Sequence, residues 1–138
     1  MFGQVFDGDG VPMSDAMLEF FTTDKTGKVS QTVDSEGRNE GYVRSATDKD
    51  GIYRIHVSAP NPNGFLHVLV FARGLLTHVY TRVYFAADSA DVKGDAVLDA
   101  AVASGRAKTL MAERTAGNAF RWDIRMQGEG ETVFFDRS

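Results

Sequence analysis

The chain has 138 residues, 43% hydrophobic and 25% charged, a composition typical of a folded globular protein rather than a disordered one. The net charge of −4 and the pI near 5.3 argue against a nucleic-acid-binding role. Because the sequence contains no cysteine, disulfides and thiolate metal ligands are excluded.

The first part of the chain is predicted to form short strands joined by turns. Asp-Gly pairs supply the positive φ angles that tight turns require. The Asp7–Gly10 turn lacks the later ligands of a calcium loop, so we interpret it as a hairpin turn. The predicted strands are Met1–Phe6, Ala16–Phe21, Tyr42–Thr47 and Ile52–Val57, with a second turn at Asp48–Gly51 and polar loops at Thr22–Asn39 and Ser58–Asn63.

Two longer segments form the predicted centre of the fold. Phe65–Ala72 is mostly apolar on both faces, which favours a strand buried on both sides. His78–Phe85 alternates polar or aromatic residues with smaller ones, as in a half-buried strand. Arg73-Gly74 lies in the turn between them, where an arginine is a candidate binding residue, although an ordinary exposed loop arginine gives the same pattern.

The C-terminal part combines one helical segment with further strands. The spacing of Val97, Leu98, Ala101 and Val102 predicts one short helix, and Lys108–Glu113 a further turn. Phe120–Gln127 alternates as a half-buried strand, and Thr132–Phe135 is the predicted closing strand. We therefore predict an all-β protein: an antiparallel β-sandwich of about eight short strands with a helical insertion near residues 95–113, forming a single domain over residues 1–138.

Neither a membrane span nor a signal peptide is predicted. The longest uncharged run, Ile55–Ala72, contains Pro60 and Pro62, which are incompatible with an uninterrupted spanning helix there. The N-terminus has no basic region followed by an apolar core. We expect a cytoplasmic protein.

Four stretches carry a resemblance to a known family. They are FARGLLTHVYTRVYF (Phe71–Phe85), RWDIRMQGEGETVFFD (Arg121–Asp136), GQVFDGDGVPMSDAMLEF (Gly3–Phe20) and GYVRSATDKDGIYRI (Gly41–Ile55). Together they resemble the intradiol ring-cleaving dioxygenases, and within that family the α subunits of enzymes that act on protocatechuate. The Gly3–Phe20 pattern also occurs in transthyretin-like and carboxypeptidase-regulatory-like sandwich modules.

The resemblance implies an iron chemistry whose ligands this chain lacks. Catalytic members hold Fe(III) with two tyrosines and a His-x-His pair, donors that suit the ferric ion. Phe65 stands at one histidine position and Val29 at one tyrosine position, while Ser58–Asn63 has no tyrosine where the second falls. Only His67 matches a ligand position. We therefore expect no iron in this chain and Fe(III) in a β-like catalytic partner subunit.

The resemblance also implies a role for Arg73. In the family, the α arginine of the FARG motif reaches the partner's active site, where it would pair with the substrate carboxylate. Gly74, His78 and Tyr80 are the expected supporting residues. The implied reaction is the cleavage of protocatechuate by O2 to 3-carboxy-cis,cis-muconate, with an aromatic carboxylate bound at the shared interface. Family α subunits have a further N-terminal segment before the strand that starts here at Met1, so the resemblance implies either a sequence whose start is truncated or a reduced α-like subunit.

Two alternatives stay open from the pattern. The chain could be a stand-alone sandwich binding module of the transthyretin-like kind, without enzymatic activity. A site made by His56, His67 and His78 would require three strands to converge, and packed or surface histidines are the commoner arrangement. Glu129 and Glu131 lie in a turn and are interpreted as solvated carboxylates rather than a catalytic pair.

Overall fold

The computed structural model describes residues 1–22, 42–56, 65–72, 78–85, 95–115, 119–128 and 130–135. Within these ranges the chain forms nine β-strands, one α-helix and one 3₁₀ helix. The predicted all-β class and the helical insertion are confirmed. The strands are β1 (Phe2–Phe6), β2 (Met17–Phe21), β3 (Tyr42–Ala46), β4 (Ile52–Arg54), β5 (Phe65–Phe71), β6 (Val79–Tyr84), β7 (Glu113–Arg114), β8 (Phe120–Arg121) and β9 (Ile124–Arg125); the helix α1 is Ala96–Ala103, and the 3₁₀ helix is Ala107–Leu110.

The strands form the two layers of a sandwich. One sheet has the order β3-β2-β5-β6, and all its pairs are antiparallel. The other has the order β4-β1-β8-β7, with β9 also paired to β1. In this second sheet β1 pairs antiparallel with β4 but parallel with β8 and β9. The sandwich is therefore fully antiparallel in one layer and mixed in the other.

The main core lies between the two sheets. Alternate residues of β5 point inward, so that Leu66, Val68 and Val70 are fully buried. From β2, Phe20 reaches across to Tyr53 and Trp122, with ring centroids 5.5 Å and 6.5 Å away. Because side chains alternate between the two faces of a strand, the other residues of β5 and β6 lie on the outer face of the four-stranded sheet. Further members of this core are Val5, Ala16, Leu18, Val83, Ala112 and Ile124.

Three predicted strands differ from the structure. Phe120–Gln127 is two short strands, because the Asp123 carboxylate accepts the Gln4 N–H (2.9 Å) where a strand ladder would continue. Thr132–Phe135 forms only an isolated bridge between Phe135 and Tyr80, since threonine side chains bond the Val133 backbone instead. The strand predicted over Ile52–Val57 ends at Arg54, and Val57 lies outside the described residues.

Helix α1 covers one end of the outer face of the four-stranded sheet. Asp95 caps its first turn by accepting the Leu98 N–H at 3.0 Å. The buried side of the helix, Leu98 and Ala101, packs with Tyr84 and Leu110 in a second cluster. No helix in the described part of the chain is long and apolar enough to cross a membrane.

Candidate functional site

A polar and aromatic cluster occupies the outer face of the four-stranded sheet. Cross-strand register places His67 of β5 between Phe21 of β2 and Arg82 of β6. The same register sets Leu69 opposite Tyr80. We call this group the outer-face cluster: His67, Tyr80 and Arg82, with the rings of Phe21, Phe65 and Phe135 around them.

Aromatic rings fix the imidazole of His67. Its ring stacks on Phe21 (4.9 Å between centroids) and on Tyr80 (5.6 Å), and Phe65 meets it edge-on at 4.9 Å. Nδ1 of His67 lies 2.5 Å from the hydroxyl of Tyr80, a short hydrogen bond. The histidine is thus packed and partnered within the sheet face rather than presented to a ligand.

Arg82 is the cation of the cluster. Its Nε donates to the Tyr80 hydroxyl at 2.9 Å, and its guanidinium carbon lies 4.2 Å from the centre of the Phe65 ring. Partial burial disfavours the charge and lowers the pKa of Arg82, but the nearby hydroxyls of Tyr80 and Tyr84 favour the charged form and leave the pKa raised overall. The guanidinium therefore keeps its charge while half-covered by rings.

A second polar contact joins Tyr84 of β6 to helix α1. The hydroxyl of Tyr84 donates to Oδ2 of Asp95 at 2.8 Å, while Oδ1 of the same carboxylate caps the helix. Burial raises the pKa of Tyr84 above its ordinary value, and the hydrogen bond to Asp95 adds to this, whereas Arg82 opposes it. The network thus connects the sheet to the first turn of α1.

The residues predicted as a substrate site fall in different places. Tyr80 belongs to the outer-face cluster. His78 lies just before β6, exposed, with its ring 5.2 Å from that of Phe71. Arg73 and Gly74 lie outside the described residues, as do Val29 and Ser58–Asn63.

The remaining candidates do not meet. His56 is exposed after β4, whereas His67 is packed on the outer face. In the described ranges, no three side chains among His, Cys, Asp and Glu come together as metal ligands. Glu131 pairs with Arg106 at 3.4 Å, and Glu129 lies outside the described residues.

Sequence reasoning did not single out Arg82, Asp95 or Phe135. The alternation along β6 did indicate that Tyr80, Arg82 and Tyr84 share one face. What no pattern showed was which residues of β2, β5 and the C-terminal segment face them.

The proteins most similar to this chain point to one family. No family model matches the sequence. The chain is 42% identical to the protocatechuate 3,4-dioxygenase alpha chain of Burkholderia cepacia, over 97% of this chain and 74% of that one. It is 35% identical to the alpha chain of the same name from Pseudomonas putida, over 99% of this chain and 74% of the other.

Solved structures agree on the fold. Hydroxyquinol 1,2-dioxygenase from Pseudomonas putida DLL-E4 matches with a TM-score of 0.56 at 18% identity, over 93% of this chain and 55% of that one. The fold is that of the intradiol dioxygenases. Within that class, the chain belongs to the family of protocatechuate 3,4-dioxygenase α chains.

The iron of the family does not fit the residues described here. His67, the one residue that the resemblance matches to a ligand position, has its Nδ1 hydrogen-bonded to Tyr80. Its neighbour Phe65 supplies no donor atom, and the guanidinium of Arg82 lies over that ring. A fixed positive charge at this point disfavours a ferric ion. The cluster offers neither the ligand set nor the charge balance that the metal requires.

Proposed function

We propose that this chain is the non-catalytic α subunit of an Fe(III)-dependent intradiol dioxygenase whose iron and iron ligands belong to a β-like partner. Similarity to α chains over nearly the whole sequence supports the subunit type. The observation that carries the proposal is the composition of the outer-face cluster, where a phenylalanine and a guanidinium surround the one matching histidine. The assembled enzyme would be cytoplasmic and would cleave protocatechuate with O2 to 3-carboxy-cis,cis-muconate.

The contribution of this chain to the reaction would be substrate recognition. A guanidinium at the subunit interface can pair with the ring carboxylate of protocatechuate through two charge-assisted hydrogen bonds. Arg73 is the residue we assign to this contact, because the FARG motif of the family matches Phe71–Gly74. Gly74, His78 and Tyr80 would support it. The role is binding and orientation, while bond chemistry stays with the partner's iron.

The metal content of the purified proteins tests the proposal. We expect the chain alone to be colourless and iron-free, because one imidazole does not retain ferric iron against water and buffer. Co-expressed with a β-like chain that carries both tyrosines and the His-x-His pair, the complex should contain iron in proportion to that chain. Stoichiometric iron in the isolated chain, with a tyrosinate-to-iron absorption band in the visible, would overturn the subunit assignment.

A further inference from the structure

The outer-face cluster has the donor groups of a cation site. The hydroxyl of Tyr80 accepts a hydrogen bond from Nε of Arg82, and Tyr84 follows two residues after Arg82 on the same face of β6. Each of these tyrosine hydroxyls has a hydrogen-bond partner outside β6. Nδ1 of His67 bonds the Tyr80 hydroxyl, and the carboxylate of Asp95 accepts from the Tyr84 hydroxyl. Arg82 therefore bonds a phenol oxygen that is itself held by His67, and the neighbouring phenol of Tyr84 is held by Asp95.

Aromatic rings also lie against the guanidinium. It lies 4.2 Å from the centre of the Phe65 ring and 5.8 Å from that of Phe135. The negative face of an aromatic ring attracts a cation, most strongly where water is partly excluded. A planar cation can contact a ring with its face while donating hydrogen bonds from its edge, whereas a compact metal ion would gain little from the rings.

We propose that the outer-face cluster is a built-in cation site whose occupant is the Arg82 guanidinium, and that it binds a free guanidinium-type cation once that side chain is removed. The hydroxyl of Tyr80 and the ring of Phe65 define the site, with the ring of Phe135 beside them. Tyr80, which accepts the hydrogen bond of the occupant, is itself hydrogen-bonded to His67 of the neighbouring strand β5. This inference requires neither the substrate contact of Arg73 nor a partner subunit.

Chemical rescue of Arg82→Ala tests the proposal in the full chain. Removing the guanidinium should lower the thermal midpoint by several degrees, since about 1 kcal/mol corresponds to a few degrees in a chain of this size. Guanidinium or methylguanidinium, at concentrations far below denaturing ones, should then raise the midpoint of the variant by mass action on the folded state. Equal concentrations of sodium chloride and of urea serve as controls for ionic strength and for denaturant action.

Arg44→Ala is the matched control variant. Arg44 also projects from the four-stranded sheet and contacts a tyrosine hydroxyl, Tyr42, at 3.3 Å and Glu19 at 3.0 Å, but it is largely exposed. Its loss should change the midpoint little, and guanidinium should not raise it. A response of Arg82→Ala no larger than that of Arg44→Ala would overturn the proposal.

Further variants keep the proposal testable if Arg82→Ala folds poorly. Arg82→Lys, which keeps the charge, should be more stable than Arg82→Gln, and the reverse order would contradict a cation site. Arg82→Leu as stable as the wild type would likewise show that the charge is not needed. Ferric ion or Zn²⁺ alone should not stabilise Arg82→Ala. A tyrosinate band on adding ferric ion would show a metal site instead, and overturn the assignment to a planar organic cation.

Discussion

Arg73 is the residue on which the proposed substrate contact depends. In the assembled enzyme, Arg73→Ala should weaken binding of protocatechuate, because one charge-assisted contact to the carboxylate is lost. Such a contact contributes about 1.5–3 kcal/mol, so the Michaelis constant should rise by roughly one to two powers of ten. Steady-state kinetics on protocatechuate measure this directly.

Catechol separates a substrate contact from general damage. It has no carboxylate, so its kinetics should be little changed by Arg73→Ala. Arg44→Ala, which removes an exposed arginine of β3 paired with Glu19, should leave both substrates unaffected. Equal losses on protocatechuate and catechol, or no loss on either, would reduce the role of this chain to scaffolding.

Tyr53 predicts how stability depends on alkaline pH. Its hydroxyl donates to the Trp122 carbonyl at 2.5 Å inside the core. Burial, with a smaller effect from Asp123, raises the pKa of Tyr53 well above 10.0. Below pH 10 the phenol is protonated in the folded and the unfolded chain alike, so its full contribution to the free energy of unfolding is present. Above pH 10 the unfolded chain releases the proton before the folded one does, and the free energy of unfolding falls.

Urea unfolding at a series of pH values measures this effect. We expect wild-type stability to decline above pH 10, the ordinary pKa of the group. Tyr53→Phe should start lower at neutral pH, because the Trp122 carbonyl loses its donor, yet decline less steeply in alkali. The same alkaline slope in both proteins would show that Tyr53 does not titrate with folding.

At the scale of elements, strand β1 depends on a glycine where it meets the segment between β8 and β9. A Cβ at Gly3 would collide with the carbonyl of Trp122 and would lie 2.8 Å from the Tyr53 hydroxyl. The backbone there cannot give way, because the Trp122 N–H also bonds the Phe2 carbonyl at 3.0 Å. Overpacking of this kind typically costs about 1–3 kcal/mol, so Gly3→Ala should lower the free energy of unfolding by at least that much.

Gly8→Ala is the matched control for this substitution. The nearest atoms to a Cβ at Gly8 belong to the exposed side chain of Gln127, which can rotate away. Its cost should therefore be well under that of Gly3→Ala in the same denaturation experiment. Equal effects from the two alanines would mean that the contact with Trp122 is not the reason for the glycine.

The strands that could be predicted were those with a strong local pattern. β2, β5 and β6 carry their alternation within one segment, and Asp-Gly turns mark their neighbours. The Phe120–Gln127 pattern is equally clean, yet the Asp123 side chain interrupts the strand by bonding Gln4, 119 residues away. Such a contact depends on the tertiary arrangement, so no local pattern contains it.

In the candidate site too, single residues could be predicted from the sequence, whereas their contacts could not. His67 and Tyr80 could be identified one at a time, from a family position and from strand alternation. Their contact, and the placement of Arg82 over Phe65, follow from the register of β5 against β6. A shift of one residue in that register would move each side chain to the other face, and the sequence alone does not set it.

For the molecule as a whole, the two ends of the outer face of the four-stranded sheet are covered unequally. Helix α1 and the 3₁₀ helix pack over the end at Tyr84. At the other end Met17 and Phe71 stand opposite each other and are exposed. Apolar surface on a sheet favours association, so we expect the chain alone to self-associate or to be poorly soluble.

Sedimentation of the chain, alone and co-expressed with a β-like chain, checks this expectation. The complex should self-associate less than the chain alone. Met17→Lys should reduce self-association of the isolated chain, because it places a charge beside the exposed ring of Phe71. Val102→Lys, which charges a still more exposed apolar residue on α1, should not. If both lysines act alike, the association does not use this end of the sheet. A clean monomer with no affinity for any β-like chain would instead favour a stand-alone binding module, because an α subunit requires a partner to supply the iron.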